Sequence, residues 1–339
     1  MKSSSLGTKK FYGGLLIMKI LNYGAGAVGL GLDSFLIKAG NALTIIGRRK
    51  TVLGLRSKGL KRSGLFGPDH AAPSSFSAYE SLADVPCEKF DFILASTKSF
   101  DSALAASDLK KHPRLWDPST KIVLCQNGWG NAETFQLYFP QEQIFNARII
   151  TGFERPHPQE VKITVHAEAI HIGSLFQKDC AGVEPLCQSL SAAGIPAQTT
   201  PEIGKDLWAK MLYNCALNPL GAIFDVPYGD LGKNDSSRDL MDSIMDEIFV
   251  VLQAAGHQTH WPTADEYRKI FYSKYLPATA GHRSSTLQAI HAGKRTEIEA
   301  LNGMIVQLAN QRGIKAEVNR AVYEMVKFLE TKKVSGLPS

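Results

Sequence analysis

The stretch Lys19-Ile20-Leu21-Asn22-Tyr23-Gly24-Ala25-Gly26-Ala27-Val28-Gly29 decides the fold of the first half of this chain. A short apolar run ends in glycines spaced G-x-G-x-x-G. A helix-forming stretch follows to about Lys38 and stops before Gly40, as helices commonly do. The pattern predicts a strand, a tight turn and a helix. In that context the first glycine permits the turn, the second lets a pyrophosphate approach the backbone, and the third lets helix and strand pack closely. The helix N-terminus adds N–H donors and the positive end of its dipole. Gly24, Ala25, Gly26, Ala27, Val28 and Gly29 are therefore the candidate dinucleotide-binding residues.

Beyond this helix, Leu43-Thr44-Ile45-Ile46 reads as a second strand. Phe90-Asp91-Phe92-Ile93-Leu94-Ala95 and Lys121-Ile122-Val123-Leu124-Cys125 read as two more. Apolar runs of this length suit a parallel sheet covered on both faces, and their alternation with helix-length segments gives a doubly wound α/β domain of Rossmann type. Cofactor choice is written about 20 residues beyond the glycines, where an NAD enzyme carries Asp or Glu for the ribose hydroxyls. Here the second strand ends in Gly47-Arg48-Arg49-Lys50. A carboxylate would repel a 2′-phosphate and a guanidinium can grip one, so Arg48 points to NADPH.

Val161-Lys162-Ile163-Thr164-Val165-His166 and Ala169-Ile170-His171-Ile172-Gly173 suggest a hairpin. From Ile203 the pattern becomes helical, over about 203–222, 236–255, 263–274, 297–312 and 318–332, punctuated by Pro219, Pro227, Pro262 and Pro277. The expected organisation is a disordered extension at 1–17, with Met18 a plausible alternative start. A nucleotide-binding domain at 18–200, a helical substrate domain at 201–332 and a tail at 333–339 complete it.

Composition narrows the function classes. Apolar residues make up 44% and charged residues 21%, ordinary for a soluble globular chain of 339 residues. The net charge of +6 lies in scattered short clusters, which argues against nucleic acid as a partner and fits small anionic ligands. Five cysteines without C-x-x-C spacing fit a reducing cytoplasm. No run approaches the roughly 18 apolar residues of a membrane span. His257-x-x-His260, and His166 with His171, lack the companion ligands of a metal site.

In the second half, Lys210, Asn214 and Asn218 fall at i, i+4 and i+8 and share one helix face. On spacing alone a solvated face accounts for the pattern better than a site does. Farther on, Thr296 is placed to cap a following helix, with Glu297 and Glu299 in its first turn. Capping alone would explain Glu297.

Taken together, these segments resemble the ketopantoate reductase family from Met18 to about Leu329. The resemblance is carried by the glycine loop, Thr97-Lys98, Gln126-Asn127-Gly128-Trp129-Gly130, and the Lys210…Asn214…Asn218-Pro219-Leu220 helix. Ser284-Ser285-Thr286-Leu287-Gln288 and Lys294-Arg295-Thr296-Glu297-Ile298-Glu299 complete it, with Asn302-Gly303. It implies NADPH-dependent reduction of 2-dehydropantoate to pantoate on the way to coenzyme A. It further implies that Lys210 is the general acid, that Asn214 and Asn218 hold substrate, and that Ser285 binds the carboxylate end. Glu297 would engage the substrate hydroxyl and help orient the lysine. Lys98 and Asn127 would lie near the nicotinamide and ribose, and Arg48 would face the 2′-phosphate. Where the family often reads Pro-Asn-Gly, this chain has Pro227-Tyr228-Gly229, and the bulkier phenol would reshape the acyl pocket.

The residue types suit the reaction. Hydride delivery to a ketone develops negative charge on oxygen, which calls for a proton donor and positive potential. A lysine supplies both if burial lowers its pKa toward neutrality. A related reductase of another branched 2-oxo acid, and a non-catalytic NADP-binding sensor, remain alternatives at this point. The intact lysine, asparagine and glutamate set counts against the sensor. The partner is a small 2-oxo acid, and the chain would act as a monomer or homodimer.

Overall fold

The computed structural model describes residues 11–12 and 15–334. The chain divides into two compact units. The first comprises residues up to Thr97, Asp101–Gln126 and Ala132–Ile203; the second comprises Gly204 onward with Lys98–Phe100 and Asn127–Asn131. Two short pieces of the N-terminal half thus belong to the second unit, which a boundary drawn at residue 200 does not anticipate.

The first unit is built on the quoted stretch. β1 (Lys19–Tyr23) leads through the glycine loop into α1 (Ala27–Lys38), β2 (Ala42–Ile46) and α2 (Arg49–Lys58). β3 (Leu60–Gly64), β4 (Asp69–Ala71), β5 (Phe76–Tyr79), β6 (Phe92–Ala95) and β7 (Lys121–Leu124) follow. Then come β8 (Ile144–Arg148), β9 (Thr151–Glu154), β10 (Glu160–His166), β11 (Ile170–Gly173) and β12 (Ala197–Thr199).

Eight strands form one sheet in the order β12-β11-β8-β7-β6-β1-β2-β5, with β1, β2, β5, β6, β7 and β8 parallel. Strand order reverses beside β1, the position where such sheets bind ligands at their carboxyl ends. Successive strand residues face opposite cores. Ile20, Phe92, Leu94 and Val123 pack in one, while Leu21, Ile93, Ile122 and Leu124 pack in the other. Burial on both faces explains the unbroken apolar runs.

The expected hairpin over 161–173 does not form. β10 pairs antiparallel with β9 and parallel with β3 in a separate four-stranded sheet, whereas β11 pairs with β8 and β12 in the large one. Proximity in sequence lost to better non-local partners. The extension expected to be disordered is ordered in part: Phe11–Tyr12 pairs antiparallel with Leu15–Leu16, and Leu16 packs on the first core. Residues 1–10 and 13–14, and 335–339 of the expected tail, lie outside the described residues.

The second unit is helical. α3 (Ile203–Ile223), α4 (Asp235–Ala255), α5 (Ser285–His291), α6 (Asn302–Gln311) and α7 (Glu317–Val334) are its main described elements. Pro219 lies inside α3, and having no N–H it cannot bond the carbonyl of Cys215 one turn back. The buried Asn302 supplies the missing donor, its Nδ2 lying 3.1 Å from that carbonyl and 3.0 Å from Asn319 Oδ1. Glu247 of α4 accepts the backbone N–H groups of Val318 and Asn319 at 2.8 and 2.9 Å and caps α7. Among the described residues, no helix is long and apolar enough to cross a membrane.

Candidate functional site

In the first unit, Gly24 and Ala25 each donate a backbone N–H to Ile46 O, at 3.1 and 3.0 Å, which presses the glycine loop onto the end of β2. Gly24 has φ +131°, and a Cβ there would lie 2.5 Å from the Ser96 carbonyl carbon. A Cβ on Gly29 would fall 2.1 Å from Gly24 O. Both positions must be glycine for the loop to close. Gly26 differs: a Cβ there would meet nothing closer than Ser96 O at 3.8 Å. The protein's own packing does not demand that glycine, and close approach of a pyrophosphate does. Gly26 also provides no side-chain cap for α1, and no acid stands in the first turn. The loop therefore fits a dinucleotide.

Arg48 is the N-cap of α2 and is exposed; the first turn carries no acidic residue. A second guanidinium that sequence reading passes over lies beside it. Arg155, in the β9–β10 loop, donates to Thr51 Oγ1 in the first turn of α2 and to Pro158 O at 2.7 Å. Burial, and then the charge of Arg48, hold the Arg155 pKa below the usual arginine range. No spacing rule could have found Arg155, which is more than 100 residues from the helix it joins.

In the second unit, Lys98, Asn127, Lys210 and Glu297 form one connected chain. Lys210 Nζ donates to Asn127 Oδ1 at 2.7 Å, and Asn127 Nδ2 donates to Glu297 Oε2 at 3.4 Å. Lys98 Nζ donates to the same Oε2 at 2.5 Å, and the Ser99 N–H reaches Oε1 at 3.3 Å. The Asn127 amide has a single productive orientation here, oxygen toward the ammonium and nitrogen toward the carboxylate. Lys210 and Glu297 are thus coupled through Asn127.

Local packing sets these positions. Gly128 has φ +87°, and a Cβ on it would lie 2.4 Å from Ala300 O; Trp129 donates its N–H to that same carbonyl at 3.1 Å. The Trp129 ring lies against Trp208 and His257, with centroids 4.7 and 4.8 Å away. Asn127 is carried by this loop, and Trp208 is two residues before Lys210 on α3. The capping expectation for Glu297 is corrected. α6 begins only at Asn302, Glu297 makes no capping bond, and its carboxylate, 7% exposed, is turned to Lys98, Ser99 and Asn127. Thr296 instead accepts the Ile298 N–H at 3.3 Å and donates to Glu330 at 2.6 Å.

Asn214 and Asn218 are 8% and 7% exposed, so the solvated-face reading fails. Asn214 makes no side-chain hydrogen bond among the described residues. Asn218 makes one, accepting from the hydroxyl of Tyr228. Neither amide has its Nδ2 engaged among the described residues, so both donors on the Lys210 face are available to a ligand. Ser285 is the exposed first residue of α5, and its neighbour Ser284 is the buried cap, accepting the Leu287 N–H at 2.9 Å. The histidines have ordinary partners: His260 bonds Asp206 at 2.7 Å, His166 bonds Thr151 at 3.0 Å, and His171 bonds Arg148 at 2.8 Å.

Comparison with known proteins agrees with this layout. Residues 20–177 match the family model described as ketopantoate reductase PanE/ApbA, and residues 202–330 match the C-terminal model of the same family. The chain is 36% identical to the 2-dehydropantoate 2-reductase of Aquifex aeolicus, over 93% of this chain and 98% of that protein. A crystal structure of a PanE/ApbA family ketopantoate reductase from Ralstonia eutropha is 30% identical. It superimposes with TM-score 0.81 and covers 94% of this chain and 100% of that one. A D-mandelate dehydrogenase solved with NADH and anilino(oxo)acetate shares the fold at TM-score 0.83 and 23% identity, covering 93% and 99%.

Proposed function

The chain belongs to the ketopantoate reductase family, and we propose that it reduces 2-dehydropantoate to pantoate with NADPH, Lys210 acting as the general acid. The observation that carries this reading is the α3 face. A lysine tethered to Asn127 shares it with two amides more than nine-tenths buried, neither of which has its Nδ2 engaged among the described residues.

Gly24, Ala25, Gly26, Ala27, Val28 and Gly29 would hold the pyrophosphate, and Arg48 with Arg155 the 2′-phosphate. When bound, the nicotinamide supplies the hydride. The protein's part is to bind, orient and protonate. Asn214, Asn218 and Ser285 offer hydrogen-bond donors to an anionic 2-oxo acid. As charge develops on the former ketone oxygen, the Lys210 N–H bond breaks and the O–H bond of the product forms. Solvent then restores the ammonium. Asn127 accepts from Lys210 and so fixes which proton is presented. Glu297 holds Asn127 from the other side and accepts from Lys98. Lys98 and Lys210 bring two ammonium groups to this chain of residues, which suits an anionic substrate. A protein that only sensed NADP would have no use for a proton donor held in this way.

The test is a panel of 2-oxo acids, 2-dehydropantoate included, followed by loss of NADPH absorbance and repeated with NADH. The highest kcat/KM is expected with 2-dehydropantoate and NADPH. A higher value for another branched 2-oxo acid would move the substrate assignment and leave the reaction class in place.

A further inference from the structure

Tyr228 stands in the short segment after α3, and its hydroxyl donates to Asn218 Oδ1, two turns along the helix from Lys210. Its ring is 2% exposed and meets the edges of Tyr213 and His282, with centroids 6.0 and 5.3 Å away. The backbone is pinned as well: the Tyr228 N–H reaches His282 O at 3.1 Å and the Gly229 N–H reaches Ala280 O at 2.8 Å. The phenol therefore has little freedom to turn away.

We propose that Tyr228 is a positioning residue for substrate selection: by occupying Asn218 Oδ1, it forces Asn218 to present only its Nδ2 donors to the substrate. A primary amide can otherwise rotate to offer either an acceptor or a donor. With the oxygen engaged, the face two turns from Lys210 accepts only an acceptor atom, such as a carboxylate, hydroxyl or carbonyl oxygen. Asn218 Nδ2 makes no hydrogen bond among the described residues, so that donor is available. Burial pushes the Tyr228 hydroxyl well above the usual tyrosine range, with Tyr213 adding to the effect. Tyr228 therefore stays protonated, and a donor, at every pH where the enzyme would be assayed. The consequence is selectivity, because a site with fixed donors rejects ligands that cannot accept.

This proposal rests on the reading that Asn218 faces the substrate, and the experiment separates the two. Tyr228→Phe keeps the ring and removes the hydroxyl, freeing the Asn218 amide to rotate. Its KM for the preferred 2-oxo acid is expected to rise about tenfold, the scale of one neutral hydrogen bond. The kcat should stay within about threefold, and the Kd for NADPH, read by tryptophan fluorescence, should be unchanged. The same change made in an Asn218→Ala background should add little to KM, since the group it positions is gone. An unchanged KM in Tyr228→Phe with a lowered Tm would overturn the proposal, leaving only a packing role. Fully additive effects in the double variant would overturn it too. Wild-type inactivity toward every 2-oxo acid would instead overturn the parent reading of the site, and this one with it.

Discussion

Lys210 donates to Asn127 Oδ1 at 2.7 Å, joining a helix residue to a loop residue 83 positions earlier in the chain. A lysine side chain has four rotatable bonds and a mobile charge, so a tether of this kind decides where its proton points. Two variants separate the donor from its holder. Lys210→Ala should lower kcat by about 10²–10⁴, the usual contribution of a positioned acid, with the NADPH Kd nearly unchanged. Asn127→Ala keeps the donor but releases it, and kcat should fall by a smaller factor, about 10–100. A wild-type kcat in Lys210→Ala would refute its assignment as the acid.

The glycines of the loop should separate by function. Gly29→Ala places a Cβ 2.1 Å from a backbone oxygen and should destabilise the first unit by about 3 kcal/mol or more, seen as a large fall in Tm or insoluble expression. Gly26→Ala meets nothing nearer than 3.8 Å and should fold normally while binding NADPH at least about tenfold more weakly. Equal losses of stability in both variants would contradict this division.

Arg48→Ala and Arg155→Ala should each weaken NADPH far more than NADH, because the 2′-phosphate is the difference between them. A loss of about 1.5–3 kcal/mol for NADPH is expected from removal of one charge-assisted contact. The direct readout is calorimetric binding of 2′,5′-ADP against 5′-ADP. Equal weakening of both ligands would reject the phosphate-clamp reading.

Asp33 on α1 is fully buried, and burial raises its pKa well above the ordinary carboxylate range despite the 2.7 Å bond from Asn22 Nδ2. The folded state therefore keeps a proton that the unfolded state releases above about pH 4, so this group costs stability as pH rises toward its folded pKa. Asp33→Asn removes the cost and offers an N–H to Asn22 Oδ1, a buried atom with no partner among the described residues. Its Tm should exceed that of the wild type by roughly 3 °C or more at pH 8, with the gap narrowing toward pH 4. A gap independent of pH would mean that Asp33 is ionised in the native protein.

Legibility in the sequence followed the range of the interactions. β1, the glycine loop and α1 could be read because every determinant lies within about twenty consecutive residues. The Lys210, Asn214 and Asn218 face could be read as a face because helix periodicity is local, but not as a buried one. The hairpin expected near 161–173 failed because β10 and β11 each found partners from elsewhere in the chain. From its sequence neighbours alone Glu297 fits a capping role, and only the family resemblance pointed to a site; its carboxylate is in fact taken by residues about 170–200 positions earlier.

Short-range features were enough for the doubly wound fold, the glycine turn, the lack of an acid after β2 and the residue types needed to protonate a ketone. Each follows from periodicity, backbone sterics or side-chain chemistry at short range. Long-range packing is what places Asn127 between Lys210 and Glu297, Arg155 near Arg48, and the Tyr228 hydroxyl on the oxygen of Asn218. Those pairings arise when distant segments are packed together, and the cost of burying a polar group without a partner then selects which side chains meet.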